Sequence, residues 1–248
     1  MVYSHGTVIL ITFNLAMTWY IYWLQKQLYY MKPAFFLYFT AIMLLGCTHS
    51  TDCIPGINLL PMYGHIKKCA AQIKSDKDFL KECDRNFTDR KKASSYYSEK
   101  AWTYYYANKQ DTAMRRFNQA WLLDSLNADV YWGFGNLIGI QKKYKESLIL
   151  FNRSLRLNAS NSRVWESTAT SYVQLFFQTK DVSFLNKSID FLKGAVRLDP
   201  KSTRLYGELT TTYSYFNQKD SARKYLKIAD KLGSNNISPE VRKIIAGI

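Results

Sequence analysis

The 248-residue sequence has little of what metal- and nucleotide-dependent enzymes require. Its 3 histidines and 4 cysteines are too few for a protein with several metal centres. Glycine (11) and proline (5) are too scarce for a loop-rich or fibrous protein. The chain contains no glycine-rich phosphate loop, paired His/Cys metal motif or nucleophile elbow. These absences argue against an enzyme, and they predict neither a cofactor nor a metal site.

Acidic residues are also scarce, with 19 Asp and Glu against 34 Lys and Arg, which gives a net charge of +15. By contrast, aromatic residues are abundant and make up 16% of the chain, with 19 Tyr, 14 Phe and 6 Trp. The hydrophobic fraction of 47% is that of a chain that buries a core. The aromatic excess predicts either a core rich in rings or an exposed aromatic binding surface.

The segment before Cys47 contains only two charged residues, Lys26 and Lys32, and neither is acidic. Within it, residues 34–45 form an apolar run that follows Met31-Lys32-Pro33 and precedes Gly46. Such a run is too short to cross a bilayer, but it has the length of the hydrophobic region of a signal peptide. The sequence therefore predicts a signal peptide over residues 31–46.

Leu44-Leu45-Gly46-Cys47 resembles the lipobox of bacterial lipoproteins. The resemblance implies that the chain is cut before Cys47 and that the Cys47 thiol is acylated, which makes this residue the membrane anchor. The alternative is a buried cysteine in a core helix. Residues 1–30 are then either an extension upstream of a true start at Met31 or a segment with a transmembrane helix near 8–24.

Lys26 and Lys32 also predict the location of the chain. The positive-inside rule would keep the segment that contains them in the cytoplasm, so everything after Cys47 lies outside it. A nucleic-acid partner is therefore not expected. Thr48, rather than Asp, follows Cys47. By resemblance to lipoprotein sorting in some Gram-negative bacteria, this favours the periplasmic side of the outer membrane.

Residues 47–93 are predicted to form a linker after the anchor and an N-terminal helical cap. Outside the cytoplasm, its cysteines can form disulfides. The pattern predicts two short helices over 66–73 and 76–87, and an antiparallel hairpin of these could join Cys69 to Cys83. Cys53 would then have no partner. The alternative is three buried free thiols.

A motif of one small, one large apolar and one small residue recurs from about Ser94 onward. Its central residues Phe117, Phe151, Leu192 and Leu226 are separated by 34, 41 and 34 positions. The four copies are Ala113/Phe117/Ala120, Ser147/Phe151/Ser154, Ser188/Leu192/Ala195 and Ala222/Leu226/Ala229. Each copy lies on one helical face, where small residues let a neighbouring helix approach closely. An aromatic-rich helix is predicted before each copy.

A 34-residue period of this kind resembles the tetratricopeptide repeat (TPR). The resemblance implies an all-α, right-handed superhelical solenoid of about four helix–turn–helix repeats with capping helices at both ends. The repeats would span 94–127, 128–161, 162–202 and 203–236, with a C-terminal capping helix over 237–248. Seven extra residues in the third repeat predict longer helices or a loop near 179–183. Asp124, Asp129 and Asp199 are predicted to cap helices at the turns between repeats.

In TPR solenoids the first helix of each repeat lines the concave face, where extended or helical peptides bind. The residues predicted to face this groove are Ser98, Trp102, Tyr105, Tyr106, Trp132, Asn136, Ile140, Arg163, Glu166, Thr170, Arg204, Thr211 and Tyr215. From these we select as partner-binding residues Trp102, Tyr105, Tyr106, Trp132, Asn136, Arg163, Glu166 and Tyr215. Packing between helices is the alternative role for each ring.

The predicted function is a non-catalytic, lipid-anchored scaffold that binds a peptide or helix of another cell-envelope protein. A second hypothesis uses the convex face, where the second helices would carry basic clusters. These are Arg115-Arg116, Lys142-Lys143-x-Lys145 and Arg223-Lys224. Such a face could bind an anionic envelope lipid or glycan, or it could serve only solubility.

Overall fold

The computed structural model describes residues 22–23, 25–26, 53–233 and 237–247. The predicted signal peptide, the lipobox with Cys47 and nearly all of the segment 1–30 lie outside these residues. Within the described ranges, no helix combines the length and apolar character that a bilayer crossing requires. The same ranges contain no cluster of His, Cys, Asp and Glu side chains that could hold a metal ion.

From Cys53 onward, every regular element that the described residues form is helical. Two short 3-10 turns, Ile57–Leu59 and Pro61–His65, come first. The α-helices follow as α1 (Ala70–Asn86), α2 (Arg90–Tyr106), α3 (Gln110–Leu123), α4 (Ala128–Ile140), α5 (Tyr144–Leu157), α6 (Ser162–Thr179), α7 (Ser183–Leu198), α8 (Thr203–Tyr215), α9 (Lys219–Lys231) and α10 (Pro239–Ala246).

The helices pack as four consecutive hairpins, α2 with α3, α4 with α5, α6 with α7 and α8 with α9. The second helix of each hairpin packs on the first helix of the next hairpin. Among the first helices, α2 contacts α4 and α4 contacts α6. At the two ends, α1 packs on α2, and α10 packs on α8 and α9. This arrangement confirms the predicted all-α solenoid of four repeats with a helical cap at each end.

The repeated triplets form the core, as their spacing predicts. Ala113, Phe117 and Ala120 are fully buried in the first repeat, and the second and third triplets are equally inaccessible. In the fourth repeat, Ala222 and Ala229 are fully buried, whereas Leu226 is half-buried against the core. The small residues of each triplet therefore lie in the interior, as packing between helices requires.

Two glycines of α4 receive the large residues of the neighbouring helices. A Cβ atom on Gly133 would lie 2.1 Å from Cζ of Phe117, and one on Gly135 would lie 2.4 Å from Cε1 of Phe151. Both distances are far inside van der Waals contact, so these positions need glycine because of space. Gly139 in the same helix is different, since an added Cβ would meet only the Cβ of Ser147, at 4.0 Å.

These distances predict opposite effects for the same substitution at two positions of α4. Gly133→Ala is expected to lower the free energy of unfolding by about 1–3 kcal/mol because the buried Phe117 ring must move. Gly139→Ala is expected to raise it by up to about 1 kcal/mol, since alanine favours the helix and meets no obstacle. Urea unfolding of both variants measures the difference. Equal destabilisation would contradict the close approach at Gly133.

The seven additional residues of the third repeat mainly lengthen its helices. α6 has 18 residues and α7 has 16, whereas α4 and α5 have 13 and 14. Only residues 180–182 separate α6 from α7, and Lys180 takes a left-handed conformation there with φ 62°. Of the two predicted alternatives, longer helices are what the structure shows.

The predicted Cys69–Cys83 disulfide is wrong. Residues 70–86 form one continuous helix, α1, instead of two short helices with a turn near Ser75. Cys69 is the N-cap of α1 and Cys83 lies in its last turns, so the helix holds them about 21 Å apart. Cys69 instead forms a disulfide with Cys53, with a Cα–Cα distance of 5.2 Å. Cys83 is buried and unpaired, and burial raises the pKa of its thiol.

The chain between the two bonded cysteines contains a strained turn. Met62, Tyr63 and His65 have φ values of 53°, 55° and 53°, and Gly64 lies between them with φ 64°. A left-handed conformation costs about 1–2 kcal/mol for each non-glycine residue, so surrounding contacts must hold this turn. Asn118 of α3 supplies them. Its fully buried amide accepts from the Tyr63 backbone N–H at 3.2 Å.

Asn118 also donates to the carbonyl oxygens of Asn58 and Leu60, at 2.9 Å each. One side chain of the first repeat thus satisfies three backbone groups of the turn. This contact fixes the N-terminal cap on α3.

Candidate functional site

An open groove runs along the first helices of the repeats. It encloses about 580 Å³ and is lined by side chains of α2, α4, α6 and α8, with Tyr144 and Phe151 from α5. Seven of the eight predicted partner-binding residues line it, namely Trp102, Tyr105, Tyr106, Trp132, Asn136, Arg163 and Glu166. The helical spacing therefore placed these residues on one face correctly. Tyr215 is not among the lining residues; its ring packs edge-on to Phe177 at 5.0 Å.

The part of the groove formed by α2 and α4 is aromatic. We use the term aromatic cluster for Trp102, Tyr105, Tyr106 and Trp132. The Trp102 and Trp132 ring centroids are 4.2 Å apart, and the Tyr106 ring stacks on Trp102 at 5.9 Å. Tyr105 meets Trp102 edge-on at 5.2 Å. The first and second repeats thus join their rings into one continuous apolar surface.

The two tryptophans are held in place by hydrogen bonds that their indole N–H groups donate to side chains of other helices. Trp102 Nε1 donates to Asp129 Oδ2 at 2.9 Å, and the buried Ser98 hydroxyl donates to the same oxygen. Trp132 Nε1 donates to Ser167 Oγ at 2.9 Å. Below Trp102, the Phe117 ring supports it edge-on at 5.2 Å. The rings are therefore preorganised, which lowers the entropic cost of binding a partner.

Asp129 and Ser98 correct two expectations. Asp129 does not cap a helix; the caps of α4, α6 and α8 are Asn127, Asn161 and Ser202. The Asp129 carboxylate instead orients Trp102, which lies 27 residues earlier in the chain. Ser98 was expected to face the groove, yet it is buried beneath it.

Asn136 lies in the groove with its amide already occupied. Its Nδ2 donates to the carbonyl oxygen of Trp132 at 2.8 Å, and its Oδ1 accepts from Ser167 Oγ at 3.5 Å. Asn136 therefore uses its amide mainly for hydrogen bonds within the fold. Few of its hydrogen-bonding groups are left for a partner.

The part of the groove formed by α6 and α8 is charged. Arg204 of α8 forms an ion pair with Glu166 of α6, whose side chain is 13% exposed. Arg163 also lines the groove, and no carboxylate among the described residues pairs with its guanidinium. Burial and the nearby Arg163 lower the pKa of Arg204 from its ordinary value. The groove thus carries one ion-paired and one unpaired guanidinium group, so it can accept a negative group from a partner.

Part of the predicted basic clusters contacts other groups of the fold. Arg116 lies over the Tyr97 ring at 5.7 Å, while Arg115 lines a separate cavity beside the N-terminal cap. Arg223 pairs with Asp220 at 3.3 Å, and Lys224 lies over Tyr225 at 5.7 Å. Of the seven cations in these clusters, Arg116, Arg223 and Lys224 therefore have partners within the fold, whereas Lys142, Lys143 and Lys145 are exposed.

The described fold resembles solved structures of repeat proteins. A structure titled as functional characterization of Pseudomonas aeruginosa pilF matches with a TM-score of 0.53 at 18% identity, over 64% of this chain and 68% of the other. TTC0263, a thermophilic TPR protein of Thermus thermophilus, matches with a TM-score of 0.52 at 18% identity, over 62% of this chain and 80% of the other.

The fold is that of a TPR solenoid. No protein-family profile and no curated protein sequence matches the chain. At these identities the TPR likeness establishes the architecture, and the activity must be argued from the groove itself.

Proposed function

We propose that this chain is a non-catalytic TPR scaffold whose groove binds a peptide or helix of another protein. The observation that carries the proposal is one open groove that combines a preorganised aromatic cluster on α2 and α4 with the unpaired guanidinium of Arg163 on α6. Tyr106 is 68% exposed although it stacks on Trp102. Large rings that remain in water at a groove are the usual anchors of protein interfaces.

The lining of the groove supports binding and not turnover. None of its residues is His or Cys, and its one carboxylate, that of Glu166, is ion-paired with Arg204. No acid–base pair or nucleophile with an adjacent base is therefore available among the lining side chains. The aromatic cluster would bury apolar side chains of the partner, and Arg163 would bind one of its acidic groups.

We further propose that the domain is anchored by acyl chains on Cys47 to the outer side of a bacterial membrane, with the periplasmic face of the outer membrane favoured. The partner would then be another envelope protein. The lipobox-like Leu44-Leu45-Gly46-Cys47 supports this. The Cys53–Cys69 disulfide supports it as well, because structural disulfides persist in oxidising compartments.

The alternative function, an anionic lipid or glycan bound by the convex face, has less support. Arg116, Arg223 and Lys224 already contact groups of the fold. The groove is therefore the better candidate.

A bulky residue at Gly139 tests the groove directly. Gly139 lines the groove, and an added Cβ would meet no close neighbour, so a larger side chain can project there without breaking the core. Gly139→Phe is expected to abolish affinity capture of the partner from detergent-solubilised membranes, whereas Gly139→Ala retains it. Thermal unfolding of both variants checks the fold. A partner retained by a folded Gly139→Phe variant would place the binding site elsewhere.

The anchor is tested by Cys47→Ser. In a bacterial host that processes lipoproteins, the wild-type chain is expected to begin at a Cys47 that carries acyl chains and to sediment with membranes. The serine variant has no thiol to acylate, so it should lose both the lipid mass and the cleavage before residue 47. Mass spectrometry of the purified chain reads both. An unmodified wild-type Cys47 would disprove the anchor and leave the groove proposal unaffected.

A further inference from the structure

The segment that precedes Lys67 and α1 is an unusually uncharged surface segment, which we name the N-terminal loop (Cys53–Ile66). It contains no Asp, Glu, Lys or Arg, although 21% of the whole chain is charged. It is not a core segment, since Ile54 is 51% exposed and Leu60 is 42% exposed. Exposed apolar side chains in a segment that has no charged residue of its own offer a contact surface to a partner phase, although Lys68, two residues after the loop, lies over the Tyr63 ring at 3.1 Å.

The N-terminal loop is held in one shape. The Cys53–Cys69 disulfide closes it at its base, and Asn118 holds its backbone with three hydrogen bonds. Ile57 is buried and ties its middle to the fold. Ile54 and Leu60 are therefore exposed as part of the folded structure and not as part of a frayed end.

The position of the N-terminal loop in the chain indicates what covers it. Cys53 lies six residues after Cys47, so a fully extended chain spans at most about 20 Å between them. This step rests on the proposed acylation of Cys47, which would place the loop within that distance of the bilayer. Lys67 follows the loop directly; its side chain is exposed and has no carboxylate partner among the described residues.

We propose that the N-terminal loop lies in the headgroup region of the membrane that holds the Cys47 lipid. Ile54 and Leu60 enter the boundary between headgroups and acyl chains, and Lys67 contacts anionic headgroups. The loop is a second membrane contact beside the acyl chains. A bilayer suits this surface because apolar residues flanked by a lysine match the polarity gradient of the interface.

Photo-crosslinking of the full chain tests the proposal. A photoreactive amino acid replaces Ile54 or Leu60, and Ile244 in α10, which is 45% exposed, serves as the matched apolar control. Each chain is purified from a lipoprotein-processing host and reconstituted into vesicles of phosphatidylethanolamine and phosphatidylglycerol. Mass spectrometry reports the lipid on Cys47 and any adduct at the photoreactive position. We expect lipid adducts at positions 54 and 60 and none above background at 244.

The outcomes separate this proposal from the anchor itself. An acylated Cys47 with no lipid adduct at 54 or 60, or with adducts to a second copy or another protein, overturns membrane contact by the loop and leaves the anchor intact. Equal lipid adducts at 54, 60 and 244 overturn it as well, because they report only random collision. Lipid adducts at 54 and 60 without acylation support the loop contact while the anchor fails.

Discussion

Replacing Trp102 and Trp132 together by alanine is expected to weaken partner binding at least 30-fold. The centroids of the two rings lie 4.2 Å apart at the centre of the aromatic cluster, so the double substitution removes both of its tryptophan rings. Buried tryptophans at interface centres typically contribute about 2 kcal/mol or more each on truncation, and 2 kcal/mol corresponds to about 30-fold in Kd. Titration of the captured partner against wild type and variant measures the change.

Two further variants separate lost binding from lost stability. Tyr106→Ala removes a ring that is 68% exposed, so it should leave the fold intact and still weaken binding by about tenfold. Tyr96→Ala is the matched control, because Tyr96 lies in the same helix, is 44% exposed and does not line the groove. If Tyr96→Ala weakens binding as much as Tyr106→Ala does, the partner does not bind at the aromatic cluster.

The sequence was sufficient to predict the repeats and most of the groove because both follow from helical geometry. Small residues at fixed spacing dictate where helices pack, and a regular 34-residue period places equivalent positions on the same face. Trp102 and Trp132 therefore could be assigned to one surface without knowledge of their contacts. For Tyr215 the prediction from spacing failed, since this residue does not line the groove. It is the last residue of α8, and the ring of Phe177 from α6 packs against it.

The N-terminal cap was less predictable because its shape depends on contacts distant in sequence. Ser75 and Asp76 were predicted to form a turn, but they lie within one continuous helix. Asp76 of this helix pairs with Lys68 at 2.5 Å, and Asp78 pairs with Lys74 at 2.7 Å. The left-handed turn at 62–65 exists because Asn118, more than 50 residues later, satisfies its backbone. Local sequence carries no sign of such a partner, so the disulfide pairing that depends on it was missed.

Asp129 illustrates the same limit inside the groove. An acidic residue near a helix start is ordinarily read as a cap, and in α4 that role belongs to Asn127. The carboxylate of Asp129 instead accepts from Trp102 of the preceding repeat. The spacing of residues within one helix predicts which of them share a helical face. It does not predict which side chain of a neighbouring helix will contact that face.

Phe117→Ala is expected to destabilise the fold by about 3–5 kcal/mol, the usual range for removing a fully buried phenylalanine. Phe117 is 0% exposed, and the centroid of its ring lies 5.2 Å from that of Trp102 and 6.0 Å from that of Phe134. Its loss leaves a cavity directly under the aromatic cluster, so partner binding should also weaken in the fraction that remains folded. Ile149→Ala is the control, since Ile149 is 67% exposed and should change stability by less than about 0.5 kcal/mol.

The glycine opposite Phe117 makes this prediction more specific. In the wild type, a methyl group on Gly133 would collide with the Phe117 ring at 2.1 Å. Once the ring is gone, the same methyl group enters the empty space, so Gly133→Ala should stabilise the Phe117→Ala variant although it destabilises the wild type. A double-mutant cycle by urea unfolding measures this reversal, and the coupling energy should exceed the cost of about 1–3 kcal/mol that Gly133→Ala has in the wild type. Additive effects would mean that the ring does not occupy the space beside Gly133, and the packing described for the first two repeats would then be incorrect.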